Sequence, residues 1–211
     1  MLSCFYWIPG TGYRVLDKES PMKKRSIKPS TFLAPVPAAL VTCQDKGGRP
    51  NIITIAWTGV VCSDPPMVSI SIRPSRYSHG IIKETGEFVV NLPTVDIIRK
   101  ADHCGITSGK DSDKFADTGL TPVSAEKVTP PLIEECSVSL ECKLTEIVPL
   151  GVHDMFLGEV IATHVADEAF DPEGNIRLEI INPLGYNPID RTYRAIGDAL
   201  GGYGFSRKEK T

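Results

Sequence analysis

Ser137-Val138-Ser139-Leu140-Glu141-Cys142-Lys143-Leu144 alternates polar and apolar residues without a break. That period of two puts Val138, Leu140, Cys142 and Leu144 on one face of a half-buried strand. Met155 to Val165 is a longer β run with Gly158 inside it, where a bulge or corner is expected, and Asp171-Pro172-Glu173-Gly174-Asn175 is turn chemistry before Ile176 to Ile181. Upstream, the apolar run Val36 to Cys43 stops at Asp45-Lys46-Gly47-Gly48 and resumes as Asn51 to Thr58, which reads as a hairpin. A third strand, Met67 to Arg73, follows the rigid break Ser63-Asp64-Pro65-Pro66. Helical patterns are few and short. Ser78 to Thr85 ends at Gly86, with Ser75 or Ser78 as N-cap, and Thr94 to His103 is followed by Gly105; between them Glu87 to Leu92 is again strand-like. Many strands without regular strand–helix alternation predict a mostly β, mostly antiparallel barrel and not a doubly wound sheet.

A chain of 211 residues, 41% hydrophobic and 23% charged, is long enough for one globular domain and has the balance of a folded one. Its net charge of -3 argues against a general nucleic-acid binder, which needs a concentrated basic face. No apolar run reaches the roughly 20 residues of a membrane span. The opening Met1 to Pro9 lacks a basic n-region, so a secretory signal is not expected. Cys4, Cys43, Cys62, Cys104, Cys136 and Cys142 are scattered without a disulfide framework, which fits reduced thiols and a cytoplasmic location. Residues 1–27 read as an N-terminal extension; Met22 is a second plausible start, and residues 1–21 are an added segment, a start-site artefact or a dimer-packing arm. At the other end, Tyr186, Tyr193, Tyr203 and Phe205 lie among glycines and prolines, in a segment that either hugs the barrel surface or a partner, or forms an aromatic lid over a ligand.

The phosphate-loop, dinucleotide, zincin and hydrolase signatures are all missing. His79, His103 with Cys104, and His153 have no metal-ligand spacing, and no metal site is predicted from them. The informative segment is Ser71-Ile72-Arg73-Pro74-Ser75-Arg76-Tyr77-Ser78, at the end of a strand and the start of a helix. Two guanidinium forks, two hydroxyls and a helix N-terminus suit a phosphate monoester, although the same residues in isolation also describe a solvated turn.

The order Asn51-Ile52-Ile53-Thr54-Ile55-Ala56-Trp57-Thr58, Ser63-Asp64-Pro65-Pro66, Arg73-Pro74-Ser75-Arg76-Tyr77-Ser78 and Gly86-Glu87-Phe88-Val89-Val90-Asn91-Leu92 resembles the flavin reductase-like, FMN-binding split-barrel family. Asp113-Lys114-Phe115 and the segment His153 to Val160 are similar to two further elements of that family. The resemblance covers residues 28–193, leaving 194–211 as a tail. It implies a six-stranded Greek-key split barrel, a homodimer whose interface helps build two FMN sites, and an oxidoreductase of the flavin reductase type. Thr54, Ile55, Ala56, Trp57 and Thr58 would then lie along the isoalloxazine ring with Asn51 nearby, and Arg73, Ser75, Arg76 and Ser78 would hold the phosphate. Asn91 and Lys114 would line the site, with His153 near the ring or across the interface. Electrons would come from NADH, NADPH or a redox protein partner and pass to flavin, ferric or protein acceptors; the alternative is a flavoredoxin-like carrier without a small substrate of its own.

Overall fold

The computed structural model describes residues 5–8, 12–15 and 23–207, and the chain divides into two compact units, 1–31 and 32–211. In the first, Phe5–Ile8 and Gly12–Val15 pair as an antiparallel hairpin. Residues 1–4, 9–11 and 16–22, with Cys4 and Met22, lie outside the described residues.

The second unit is built on a seven-stranded antiparallel sheet. Its strands are β1 (Ala39–Gln44), β2 (Pro50–Ile55), β3 (Thr58–Ser63), β4 (Pro66–Ile72), β5 (Glu87–Pro93), β6 (Cys136–Pro149) and β7 (Asp154–Val165). Their order across the sheet is β2-β1-β5-β6-β7-β4-β3. Three helices matter for the site: α1 (Tyr77–Thr85), α2 (Ile98–Ile106) and α3 (Lys114–Thr118). The mostly β, antiparallel architecture is the one expected from the sequence.

Apolar residues on alternate positions fill two cores. Val41, Cys43, Ile53, Ile70, Phe88, Cys142 and Phe156 point inward, where Ile81 and Ile82 of α1 join them. Leu40 and Ile52, on the opposite face of β1 and β2, pack with Ala101 and Cys104 of α2, Phe115 of α3, Ile133, Cys136 and Leu184. Burial on both faces is why β1 reads as a continuous apolar run, not an alternating one.

Several local expectations are corrected. The run Asn51 to Thr58 is not one strand: β2 stops at Ile55, the chain bends through Ala56 and Trp57, and β3 pairs with β4, giving seven strands where six were expected. The N-cap of α1 is Arg76, with no side-chain cap; Ser78 lies in the first turn, and its hydroxyl accepts from Asn51. The second helix begins as a 3₁₀ turn, Val95–Ile97, and Gly105 lies inside α2. Gly158 is not the bulge. It pairs with Leu144, the extra residues are Ile161 on β7 and Thr145 on β6, and a Cβ at Gly158 would come within 2.4 Å of the Phe88 ring, so glycine is required by close packing. After the 171–175 turn, Ile176 makes a single bridge to Phe170 and the chain winds into one helical turn, Leu178–Ile181.

The polar face of β6 is also buried at Ser139 and Glu141, while Lys143 stays exposed. A strap, residues 121–135, crosses it and is pinned by sheet side chains. Glu141 accepts from the backbone N–H groups of Glu126 (2.9 Å), Lys127 (2.7 Å) and Val128 (3.0 Å), and from His164 Nε2 at 2.6 Å. Glu87 accepts from Thr129 N at 2.9 Å and Asn91 from Ile133 N at 3.1 Å. Near the C-terminus, Leu184–Asn187 pairs with Thr192–Ala195 and, through Gly185 and Tyr186, with Val36–Pro37.

Candidate active site

No ladder joins β2 to β4, and a cleft opens along that seam. Its wider part, about 410 Å³, lies against the strip Ile53 to Trp57 and the end of β4. A second part, about 300 Å³, continues toward the start of α1, and the two share Ile53, Arg73, Arg76 and Gly105.

The narrow part is built to hold an anion. Arg73, Ser75, Arg76 and Ser78 line it because β4 ends at Ile72 and α1 begins only five residues later. Asn51 Nδ2 donates to Ser78 Oγ at 2.7 Å, which ties β2 to the first turn of the helix. Lys114 reaches in from α3, its Nζ donating to the carbonyls of Ile52 and Cys104, both at 2.7 Å. Burial first, and Arg76 further, hold the Lys114 pKa below the ordinary lysine value, partly offset by the Cys104 thiol. Opposite, Thr107 and Ser108 close the wall. They can do so because a Cβ at Gly109 would fall 2.0 Å from Asn51 Oδ1 and 2.9 Å from the Tyr77 ring, so only glycine lets this loop lie so near. Three cations and several hydroxyls line this part of the cleft without a carboxylate. Such a donor set matches a phosphate monoester.

The wide part is different. Thr54, Ile55, Ala56 and Trp57 form one wall, held to α2 by the hydrogen bond from Thr54 Oγ1 to the Ala101 carbonyl. Ser71 N donates to Trp57 O at 2.8 Å and fixes the bend between β2 and β3. His153 sits at the rim with Arg73 Nε 3.4 Å from its Nε2, an arrangement that needs a neutral imidazole; burial and then the Arg73 charge lower its pKa. The next residue, Asp154, meets His79 Nε2 at 2.8 Å and so clamps α1 to β7. Across the cleft stand Tyr186, Arg191, Tyr193 and Asp102.

The structure therefore gathers Asn51, Thr54, Ile55, Ala56, Trp57, Arg73, Ser75, Arg76, Ser78, Lys114 and His153 around one cleft. Two expected residues are elsewhere. Asn91 is buried on the far side of the sheet, donating to Leu40 O and accepting from Ile133 N and Ser139 Oγ; its amide is spent on joining β1, β6 and the strap. Thr58 Oγ1 donates to Ser69 O at 2.7 Å and supports the β3–β4 ladder. Sequence reasoning missed Thr107, Ser108 and Gly109, for which the only signal was a Thr-Ser-Gly run just past a helix, and it missed Asp102 and Arg191.

Comparison with known proteins agrees with this geometry. The family profile of the flavin reductase like domain matches residues 32–197. A protein of unassigned function from Archaeoglobus fulgidus is 34% identical over 133 residues, covering 63% of this chain and 75% of its own. Among solved structures, flavoredoxin of Desulfovibrio vulgaris (Miyazaki F) superposes with a TM-score of 0.82 at 35% identity, over 86% of this chain and 98% of that one. Flavoredoxin from Methanosarcina acetivorans gives 0.79 at 29% identity, over 89% and 98%. With its split antiparallel sheet, its cationic cleft and a profile match over most of its length, the chain belongs to the flavin reductase-like domain family.

Proposed function

We propose that the protein is an FMN-binding oxidoreductase of the flavin reductase type that works in the cytoplasm as a homodimer. The observation that carries the reading is the carboxylate-free pocket of Arg73, Arg76, Lys114, Ser75 and Ser78, opening directly into a wider cleft walled by a strand backbone. FMN has this form: a phosphate at one end and a planar ring at the other. The FMN ring supplies the one- or two-electron chemistry, while the protein's share is binding, orientation and control of access. Arg73 and Arg76 would hold the phosphate and the 54–57 strip would line the ring, while His153 is kept neutral at the rim as a hydrogen-bonding partner of Arg73. NADH, NADPH or a protein donor supplies electrons, which pass to flavin, ferric or protein acceptors.

The homodimer is supported by apolar side chains left in solvent on the edge strand β3, where Val60 is 79% exposed, and by Ile106 at the cleft rim, 73% exposed. A second reading, an electron carrier without its own small substrate, is supported by the likeness to two flavoredoxins at 35% and 29% identity.

The test of the FMN assignment is ligand affinity. Replacing Arg73 and Ser78 together by alanine should weaken FMN by about 100-fold while riboflavin, which lacks the phosphate, changes little. Equal loss for both ligands would sink the assignment. Anaerobic mixing with NADH or NADPH then separates the two readings: bleaching of bound flavin supports the reductase, and reduction only by a protein donor supports the carrier.

A further inference from the structure

The wall of the wide cleft that faces the 54–57 strip has a chemistry of its own. Tyr186 and Tyr193 stand edge to face, with ring centroids 5.5 Å apart. The Tyr193 hydroxyl donates to Asp102 Oδ1 at 3.2 Å, and burial, followed by that carboxylate, pushes its pKa up to about 12, so it stays a neutral donor. Beside them Arg191 lines the same cavity from the turn that joins Leu184–Asn187 to Thr192–Ala195. Its backbone is left-handed, with φ of 57°, a conformation that a non-glycine residue adopts at a cost.

The carboxylate next to Arg191 in sequence is already committed: Asp190 accepts from Thr192 Oγ1 at 2.6 Å and from Arg194 Nη2 at 2.7 Å. Asp102 is engaged by Tyr193, and Arg73 and Arg76 are shared with the phosphate end of the cleft. Among the described residues, Arg191 makes no side-chain hydrogen bond or ion pair, so it is the uncommitted charge on this wall. A guanidinium that shares a cavity wall with two tyrosines matches a planar molecule that carries an anionic group, with its neutral end toward Asp102.

We infer that Arg191 is a specificity-determining residue that selects planar anionic substrates, such as aromatic or quinone acceptors bearing a carboxylate, sulfonate or phosphate, for reaction at this cleft. The inference rests on the FMN reading. In such a reaction two electrons and two protons reduce a quinone to its hydroquinone, with NADH or NADPH oxidised in turn. Arg191 holds the anionic substituent and takes no part in the transfer.

The experiment uses the full chain loaded with FMN, checked by its yellow absorbance, and two redox-inert probes, 2-naphthalenesulfonate and naphthalene-2-methanol, titrated by calorimetry. Glycine suits the left-handed backbone of position 191, so Arg191→Gly removes the charge without straining the fold. It should weaken the sulfonate by about 5- to 20-fold and leave the neutral alcohol within about twofold. Arg191→Lys should retain part of the preference and Arg191→Glu should reverse it. In turnover, Arg191→Gly should raise KM for 1,4-naphthoquinone-2-sulfonate with kcat unchanged. Equal effects on both probes, or none on either, would overturn the inference while FMN binding stands; failure to take up FMN would overturn the proposed function and this inference with it.

Discussion

Lys114 is buried, yet its neutral and charged forms are satisfied differently. A neutral amine has two N–H donors, and the carbonyls of Ile52 and Cys104 take both; the ammonium has a third to offer an anion in the cleft. Because the native pKa lies below the unfolded value, the protonated form opposes folding at low pH, and that penalty is relieved as pH rises above the native pKa. A bound phosphate works the other way and favours the ammonium. FMN affinity should therefore fall as pH climbs through the lowered Lys114 pKa, and Lys114→Met should weaken FMN about 10-fold and abolish that fall, as measured by fluorescence titration across pH. At this scale the legible residues were those contiguous in sequence, Arg73 to Ser78, whose chemistry is visible without a fold. Asn91 was expected at the site only from the family resemblance, whereas a sheet buried on both faces needs such amides to satisfy its own covering loop. Thr107 and Ser108 were illegible because their place depends on Gly109 fitting against Asn51 and Tyr77.

Among elements, the strap over β6 shows how one carboxylate organises a loop without regular structure. Burial by itself raises the Glu141 pKa, but the N–H groups of residues 126–128 and the His164 ring outweigh it and hold the carboxyl below its usual range. A depressed native pKa means the stabilisation is present above the unfolded value of about 4.3 and is lost as pH falls through the native one. Glu141→Gln places an amide N–H₂ against backbone donors, and it should cost about 2 kcal/mol near neutral pH. Urea unfolding should show that difference shrinking as pH falls through the depressed native value and the wild-type carboxyl itself becomes protonated. The alternation from Ser137 to Leu144 correctly located the strand, but it could not say that the polar face would also be covered. That outcome depends on a loop whose only local signal is its prolines.

For the unit spanning residues 32–211, the decisive feature is a sheet that curls without closing. The hairpin β1–β2 and the hairpin β3–β4 are joined only by the bend at Ala56 and Trp57, yet they lie at opposite ends of the strand order. The cleft is the gap between them, with α2 and the Leu184–Ala195 hairpin as its outer walls. Sequence patterns identified strands and a barrel; they did not show β3, because Thr58 to Ser63 follows β2 after only two residues and reads as its continuation.

The placement of the thiols bears on chemical durability. Reduced flavin reacts with oxygen to give hydrogen peroxide, so on the proposed FMN reading the cleft would generate its own oxidant. Peroxide attacks thiolates, and burial keeps these thiols protonated: Cys43 and Cys104 are pushed up to about 11, Cys142 to about 12, and Cys136 well above the usual range. Cys62 is half-buried on the outer edge of the sheet, with its Sγ 3.3 Å from Asp64 O, where peroxide in solvent can reach it. After aerobic turnover, peptide mass spectrometry should find sulfinic or sulfonic acid at Cys62 and intact thiols at the four buried positions. Damage at Cys43 or Cys104, the two nearest Lys114, would mean that the core opens during turnover; damage confined to Cys62 would mean that self-inflicted oxidation is diverted to a residue the catalytic cleft can do without.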